Sequence, residues 1–319
     1  MMPRNHERLH IVSRGGAPAG KPAGRGRSRH ESRTVSGRWL LSALILTIGG
    51  AALCGWFSLC LLFWQGSWQL LYHPTATVTR TPSSVGLQFE PIQFAVTNTG
   101  VPRLNGWWIA ARPDDPYHRF TVLYLHDQSG NLGDAVDALA QLHAIGVNVL
   151  AFDYRGYGQS QFARPSEAHW REDANWALAY MAGTRHVNPG KIVLDGAGLG
   201  ADLAMEVAAS HPELAGVILI SPAHAPMNAV FMDPRARLVP AHMLVRDHYD
   251  LDAAAEAVRI PVLWFEQESA VRQTGGVTEM EAYEKVKASK MLVWLGPAAQ
   301  GNQQFGDACS RWLDNLPAH

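Results

Sequence analysis

One segment near the middle of the chain restricts the choice of fold more than any other. Residues 191–204 read KIVLDGAGLGADLA, a short β-branched run, a glycine-rich turn and then apolar residues at helical spacing from Leu199 onward. This pattern predicts a buried strand, a tight turn and a helix. The glycines of the expected turn stand at alternate positions: Gly196, Gly198 and Gly200.

Strand-like and helix-like runs alternate through the rest of the chain from about residue 87. Such alternation predicts parallel βαβ units and a sheet covered by helices on both faces. We expect strands at 87–96, 104–111, 120–126, 147–154, 191–195, 215–221, 260–265 and 291–295, and helices at 132–145, 166–181, 199–210, 278–288 and 303–316. Residues 223–258 lack either period and are expected to form an irregular, cap-like insertion.

The N-terminal region differs sharply from the rest in charge. Residues 1–38 contain nine Arg or Lys and two Glu, whereas no Asp, Glu, Lys or Arg occurs between Arg38 and Arg80. At about 1.5 Å per residue, the apolar run can cross a hydrocarbon core of roughly 30 Å. We therefore expect a disordered basic tail at 1–38, a transmembrane anchor at 39–66 and a folded domain at 72–319.

The basic tail also predicts an orientation. Arg and Lys before an anchor favour a cytoplasmic N-terminus, which would place the folded domain across the membrane, in a periplasmic or other extracytoplasmic space. A cleaved signal peptide is the alternative. The apolar run is longer than such peptides usually have, and no small-residue cleavage site closes it.

Several short motifs in the domain occur together. The most specific is DYRGYGQS at 153–160, and the others are LYLH at 123–126, the glycine turn at 196–200, SP at 221–222 and IPVL at 260–263. With these motifs, residues 72–316 resemble the α/β-hydrolase superfamily, and within it the membrane-anchored serine hydrolases that include protein depalmitoylases. The resemblance implies an α/β-hydrolase fold, with a mostly parallel sheet, preceded here by one transmembrane helix.

The same resemblance assigns positions to a catalytic triad. In these enzymes the serine stands at the centre of the glycine turn, the nucleophile elbow, and an acid and a histidine follow in chain order. The central position here is Gly198, which has no side chain to attack a carbonyl. The acid position falls at Glu268, with Glu266 as a second candidate, and both are expected in an exposed loop.

The position of the catalytic base departs from the family pattern as well. It falls at Ala299 or Gln300, and no histidine occurs between His248 and His319. The degenerate triad positions are therefore Gly198, Glu268 and Gln300.

The loop that would supply the oxyanion donors is altered too. The family's His-Gly is His126-Asp127 here, followed by Gln128. A carboxylate beside a developing oxyanion would raise its energy, opposite to what acyl transfer needs. Two further strand-end carboxylates, Asp153 and Asp195, are expected to hydrogen-bond adjacent loops. A vestigial pocket would be lined by His126, Asp127, Gln128, Ala197, Gly198 and Leu199.

We interpret the chain as a non-catalytic binding or scaffolding subunit, because all these features change together. One alternative is an ester or peptide hydrolase that uses non-standard residues. Its base would be chosen from His126, His224, His242 and His248, and its nucleophile from Ser129, Ser221 and Ser269. A second alternative is nucleotide binding at 196–201, which matches Gly-x-Gly-x-x-Ala between a strand and a helix.

The residue types present suggest no resident metal or cofactor. Cys54 and Cys60 fall in the expected anchor, which leaves Cys309 without a disulfide partner in the domain, and no Cys/His framework occurs. We assign the basic tail to membrane topology rather than to nucleic acid. The expected partners are the lipid bilayer, one or more membrane proteins and a small ligand in the vestigial cleft.

Overall fold

The computed structural model describes residues 35–223, 225–267 and 280–316. Its first element is the helix α1, Gly37–Gly66, which a short 3-10 turn follows at Ser67–Leu70. Residues 37–70 are long and apolar enough to cross a membrane, and almost all of their most apolar window is exposed. Length and composition alone support that reading.

The described residues after α1 alternate between strands and helices. The strands are β1 His73–Pro74, β2 Glu90–Val96, β3 Pro102–Ile109, β4 Thr121–Leu125, β5 Ser129–Gly130, β6 Asn148–Asp153, β7 Ile192–Ala197, β8 Gly216–Ile220, β9 Val262–Gln267 and β10 Lys290–Leu295. The helices are α2 Val136–Ile145, α3 Glu167–Gly183, α4 Leu199–Ser210, α5 Asn228–Phe231, α6 Ala241–Leu244, α7 Leu251–Ala257, α8 Glu281–Lys285 and α9 Ala298–Asp314.

Eight of these strands form one mixed sheet. The order across the sheet is β10-β9-β8-β7-β4-β6-β3-β2, so the elbow strand β7 lies at its centre. All neighbours pair in parallel except β2 with β3 and β3 with β6, which are antiparallel. This arrangement confirms the predicted α/β-hydrolase fold class, and β2 and β3 form an antiparallel hairpin at one edge.

Each face of the sheet carries a separate apolar layer. Leu123 and Leu125 of β4 face the layer that includes residues of α3 and α4. Val122 and Tyr124 face the layer that includes residues of α2 and α9. Because both faces are covered, the central strands carry apolar residues toward both faces rather than at alternate positions only.

Local signals in the sequence explain several element ends. Ser166 caps α3, since its hydroxyl accepts a hydrogen bond from the His169 N–H at 3.2 Å. Gly146 ends α2 in the left-handed conformation, at φ 96°. In β3, a Cβ on Gly106 would lie 2.4 Å from the Ala151 carbonyl oxygen, so this close strand contact requires glycine.

Two expectations about local structure were wrong. The insertion is not irregular throughout: it contains the short helices α5 and α6 and ends in α7, Leu251–Ala257, which Asp250 caps by accepting from the Ala253 N–H. Helices of four residues are too short to show a hydrophobic period. The last helix begins at Ala298 rather than 303, which shortens the loop expected after β10.

Candidate functional site

The predicted strand–turn–helix unit forms at the centre of the sheet. β7 ends at Ala197, and α4 begins at Leu199. Gly198 lies between them with φ 56° and ψ −125°, a backbone conformation that residues other than glycine rarely adopt. A Cβ on Gly196 would lie 2.2 Å from the Gly200 carbonyl oxygen, so the flanking glycines allow the turn to close tightly.

The space in front of Gly198 is filled by the side chain of Asp127. One carboxylate oxygen, Oδ1, accepts hydrogen bonds from the Leu199 N–H at 2.9 Å and from the Gln128 N–H at 2.8 Å. A Cβ on Gly198 would lie 2.3 Å from the same oxygen. Asp127 therefore occupies the place where a side chain at the centre of the turn would begin.

The two N–H groups bound to Asp127 have a defined role in enzymes with this turn. There, the N–H after the nucleophile and an N–H from the loop after the neighbouring strand form the oxyanion hole. Leu199 and Gln128 hold those two positions here, and both donate to the carboxylate. Asp127, which the sequence places beside these donors, accepts hydrogen bonds from both of them and so occupies the hole.

Opposing influences act on the Asp127 carboxyl. Its partial burial raises its pKa above the ordinary value, and this is the largest contribution. The hydrogen bonds from Leu199 and Gln128 lower the pKa, since both favour the charged form.

His126 lies behind this carboxylate, in a buried aromatic pocket. Its Nδ1 is 2.8 Å from the Asp127 carbonyl oxygen, and its ring centre is 4.4 Å from that of Tyr154 and 5.2 Å from that of Tyr157. Burial lowers the pKa of His126 to about 4, so the imidazole is neutral at pH 7. Its Nε2 is 3.8 Å from Asp153 Oδ1, too far for a hydrogen bond.

The aromatic neighbours of His126 also hold the loop in place. The Tyr154 hydroxyl donates to the His126 carbonyl at 3.2 Å, and the Tyr157 hydroxyl donates to the Gln128 carbonyl at 2.7 Å. His126 and its surroundings thus shape the loop that carries Asp127. The DYRGYGQS motif supplies both tyrosines, which gives it a structural role.

The other predicted triad positions lie apart from this cluster or beyond the described residues. Glu268 falls outside the described residues. Glu266, expected in an exposed loop, lies instead within β9 at 2% exposure and accepts a hydrogen bond from Trp264 Nε1 at 2.8 Å. Gln300 is exposed on the first turn of α9.

The strand-end carboxylates divide into two kinds. Asp153 accepts from the Leu132 N–H at 2.8 Å, as expected of a residue that fixes a neighbouring loop. Asp195 does not: it is fully buried, and neither of its oxygens has a hydrogen-bond partner among the described residues. Burial raises the pKa of Asp195 to about 8, so its carboxyl is mostly protonated at pH 7.

Ser221 shows a feature that the sequence did not reveal. It follows β8, the strand next to the elbow strand, and has a positive φ of 45°. Its Oγ is buried without a hydrogen-bond partner in the described part of the chain. No sequence pattern marks this strain, because it arises from the packing of the strand end.

The sheet order and the strand–glycine–helix turn define the class: this is an α/β-hydrolase fold. The family model for serine aminopeptidase, S33, matches residues 117–266. The uncharacterized protein Rv2307c of Mycobacterium tuberculosis is 31% identical over 207 residues, which cover 64% of this chain and 69% of that protein. The chain belongs to the α/β-hydrolase superfamily.

Other similar proteins agree on the fold. Protein bem46 of Schizosaccharomyces pombe is 27% identical over 141 residues, which cover 44% of this chain and 46% of that protein. The esterase Pf2001 of Pyrococcus furiosus superimposes with a TM-score of 0.54 at 17% identity, covering 76% of this chain and 98% of the esterase. An alpha-beta hydrolase from Vibrio vulnificus gives 0.54 at 18% identity, with 73% and 82% covered.

Proposed function

We propose that this protein is a membrane-anchored, non-catalytic member of its superfamily that acts as a binding or scaffolding subunit of a membrane-associated assembly. The observation that carries the proposal is the Asp127 carboxylate bound to the N–H groups of Leu199 and Gln128. Acyl transfer needs such donors free for the developing oxyanion. A carboxylate in that place removes the donors and adds a repelling charge.

The centre of the turn supports the same conclusion independently. Gly198 provides no nucleophile, and loss of one triad member alone removes about 10⁴-fold or more of the rate in enzymes of this type. The nucleophile position and the oxyanion donors serve different parts of the reaction. A chain altered at both is suited to binding rather than to turnover.

The anchoring part of the proposal rests on α1 and on the charge before it. The helix has the length and composition of a membrane span, and eight basic residues precede it within 1–36. We propose a cytoplasmic N-terminus and a domain on the opposite side of the membrane. Its partners would be membrane proteins that co-purify after extraction with a gentle detergent.

The test uses the full-length protein in mild detergent, with p-nitrophenyl esters and a fluorophosphonate probe. We expect ester turnover at the buffer rate and no covalent labelling. The matched variant is Asp127→Gly, which frees both N–H groups and should remain inactive because Gly198 supplies no nucleophile. Turnover above the buffer rate that is lost in His126→Ala would contradict the proposal.

An active hydrolase with non-standard residues is the second candidate, and Ser221 is the observation that favours it. Its strained backbone and buried, unpartnered hydroxyl lie one strand from the elbow, where the Gly198 N–H donates to the Ile220 carbonyl at 3.0 Å. Strain of this kind often occurs at functional sites. Fluorophosphonate labelling that disappears in Ser221→Ala would support this candidate.

Nucleotide binding at 196–201 is disfavoured by the same carboxylate. A pyrophosphate at the start of α4 would use the N–H groups of its first turn, yet the Leu199 N–H already donates to Asp127. We expect no thermal shift of the purified protein with nicotinamide or flavin nucleotides.

A further inference from the structure

A cavity lies away from the glycine turn, beside the end of α1. Its volume is about 550 Å³, within the range of small-molecule sites. One wall comes from Trp64 and Trp68, and the others come from the residues before and at the start of α3 and from the insertion. All of these residues belong to the compact unit Leu53–His319.

The cavity joins an apolar wall to a basic rim. Leu71 and Val230 are among its apolar lining residues, whereas Arg164 and Arg246 are exposed at its edge. Neither guanidinium forms an ion pair with a carboxylate in the described part of the chain. The Arg164 guanidinium lies 5.9 Å from the ring centre of Trp64 and 6.0 Å from that of Trp68, at the outer limit of cation–π contact.

The two carboxylates in the cavity wall are already engaged. Asp247 accepts from the Tyr72 hydroxyl at 3.0 Å and from the Glu167 N–H at 3.2 Å. Glu167 pairs with Arg171 at 2.6 Å. Glu167 thus has a cationic partner and Asp247 has neutral donors, and neither carboxylate pairs with the two arginines at the rim.

The cavity lies beside the last turns of α1, the helix that is long enough to span a membrane. A helix of 30 residues is about 45 Å long, roughly 15 Å more than a hydrocarbon core needs. The surplus turns are covered by the domain: Cys60 and Phe63 are buried in its core, and Trp56 Nε1 donates to the Leu238 carbonyl at 3.0 Å. The insertion therefore contacts the last turns of α1, within the same compact unit.

The insertion also exposes apolar side chains. Met232, Leu238 and Met243 are 74%, 60% and 84% exposed. The apolar residues of the insertion could form a contact surface or close onto the core. The structure divides them, because Met227 is buried in the core and these three are not.

From these observations we propose that the cavity beside α1 binds an anionic phospholipid of the bilayer, with its phosphate between Arg164 and Arg246 and its acyl chains along the exposed apolar side chains of the insertion. This inference rests on the proposed membrane anchoring. Trp64 and Trp68 have the residue type and placement of interfacial anchors, which supports a lipid as the occupant. At this cavity the proposed binding subunit would bind a ligand without using the glycine turn.

The test uses full-length protein in nanodiscs of phosphatidylcholine, with or without phosphatidylglycerol, and native mass spectrometry to count retained lipids. We expect retained phosphatidylglycerol, with roughly 30-fold loss of retention in Arg164→Gln/Arg246→Gln, since each arginine near an anionic lipid contributes about fivefold. The matched control is Arg119→Gln/Arg311→Gln, which removes two exposed arginines that lie outside the insertion and do not line the cavity. It should retain lipid like the unchanged protein.

The outcomes separate this inference from the anchoring on which it rests. Protein that resists carbonate extraction but shows no preference for phosphatidylglycerol would overturn the lipid site and leave the anchor standing. Protein that carbonate extracts would overturn both. Displacement of the lipid by soluble glycerol phosphate at matched concentration would show that the cavity binds the phosphate alone. It would overturn the role proposed for the acyl chains.

Discussion

The contact between Asp127 and Gly198 predicts a strong coupling between two substitutions. In Gly198→Ser, the new Cβ would lie 2.3 Å from Asp127 Oδ1, so the carboxylate must leave its two N–H donors. The loss of two hydrogen bonds to a charged group destabilises the fold by about 3 kcal/mol, and a side chain at positive φ adds about 1–2 kcal/mol. We therefore expect Gly198→Ser alone to lower the free energy of unfolding by about 4–5 kcal/mol.

Removal of the carboxylate should relieve most of that effect. In Asp127→Gly, the two hydrogen bonds are already lost, so adding Gly198→Ser should cost only the backbone strain of about 1–2 kcal/mol. The two changes would then differ from additivity by about 3 kcal/mol. Asp127→Asn is the matched control, because it keeps the shape and the acceptor oxygen of the side chain. Its two neutral hydrogen bonds contribute about 1 kcal/mol each, so the serine should still compete with it at a cost of about 2 kcal/mol beyond the backbone strain.

The assay is denaturant-induced unfolding of the purified protein, followed by tryptophan fluorescence. In a thermal melt of a domain of this size, the expected coupling of about 3 kcal/mol would correspond to a difference of roughly 6–12 °C in Tm. Additivity within about 0.5 kcal/mol would refute the reasoning, since it would mean that the two side chains do not compete for the same space.

Three further predictions concern the interior. In the folded protein, Asp195 has a pKa of about 8, against an ordinary value of 3.8. Between these two pH values the folded protein keeps this proton and the unfolded chain has lost it. The free energy of unfolding should therefore fall as pH rises through this range. Asp195→Leu should flatten this slope and gain up to about 4 kcal/mol at pH 8 relative to pH 5, measured as Tm across pH. Arg155 Nε pairs with buried Asp173 at 2.6 Å, so Arg155→Met should cost about 3–5 kcal/mol in denaturant unfolding, unless Asp173→Leu is also made. Gly106→Ala should cost about 1–3 kcal/mol by the same assay, because its methyl group would meet the Ala151 carbonyl.

The architecture of the sheet could be predicted from the sequence because its signals are local. The strand–turn–helix at β7–α4 and the cap at Ser166 depend on neighbouring residues, and helix α4 begins and ends where the pattern places it. The mostly parallel sheet follows from the alternation of strands and helices together with the resemblance. These features need no knowledge of contacts between distant residues.

The chemistry of the site could not be predicted in the same way. Asp127 and Leu199 are 72 positions apart, and only the folded chain shows that one binds the N–H of the other. The loss of hydrogen-bonding partners at Asp195 depends likewise on which side chains cover the strand. A carboxylate near a strand end has the same local sequence whether it caps a loop or lies buried and protonated.

The Asp127 carboxylate joins the loop after β4 to the first turn of α4 within a single polypeptide. A ligand that is part of the chain competes at an effective concentration on the order of millimolar or above, whatever the surroundings contain. Free carboxylates and phosphates at micromolar levels would therefore not displace it. The turn is insulated from the metabolite pool, and a change in its occupancy requires a movement of the loop itself.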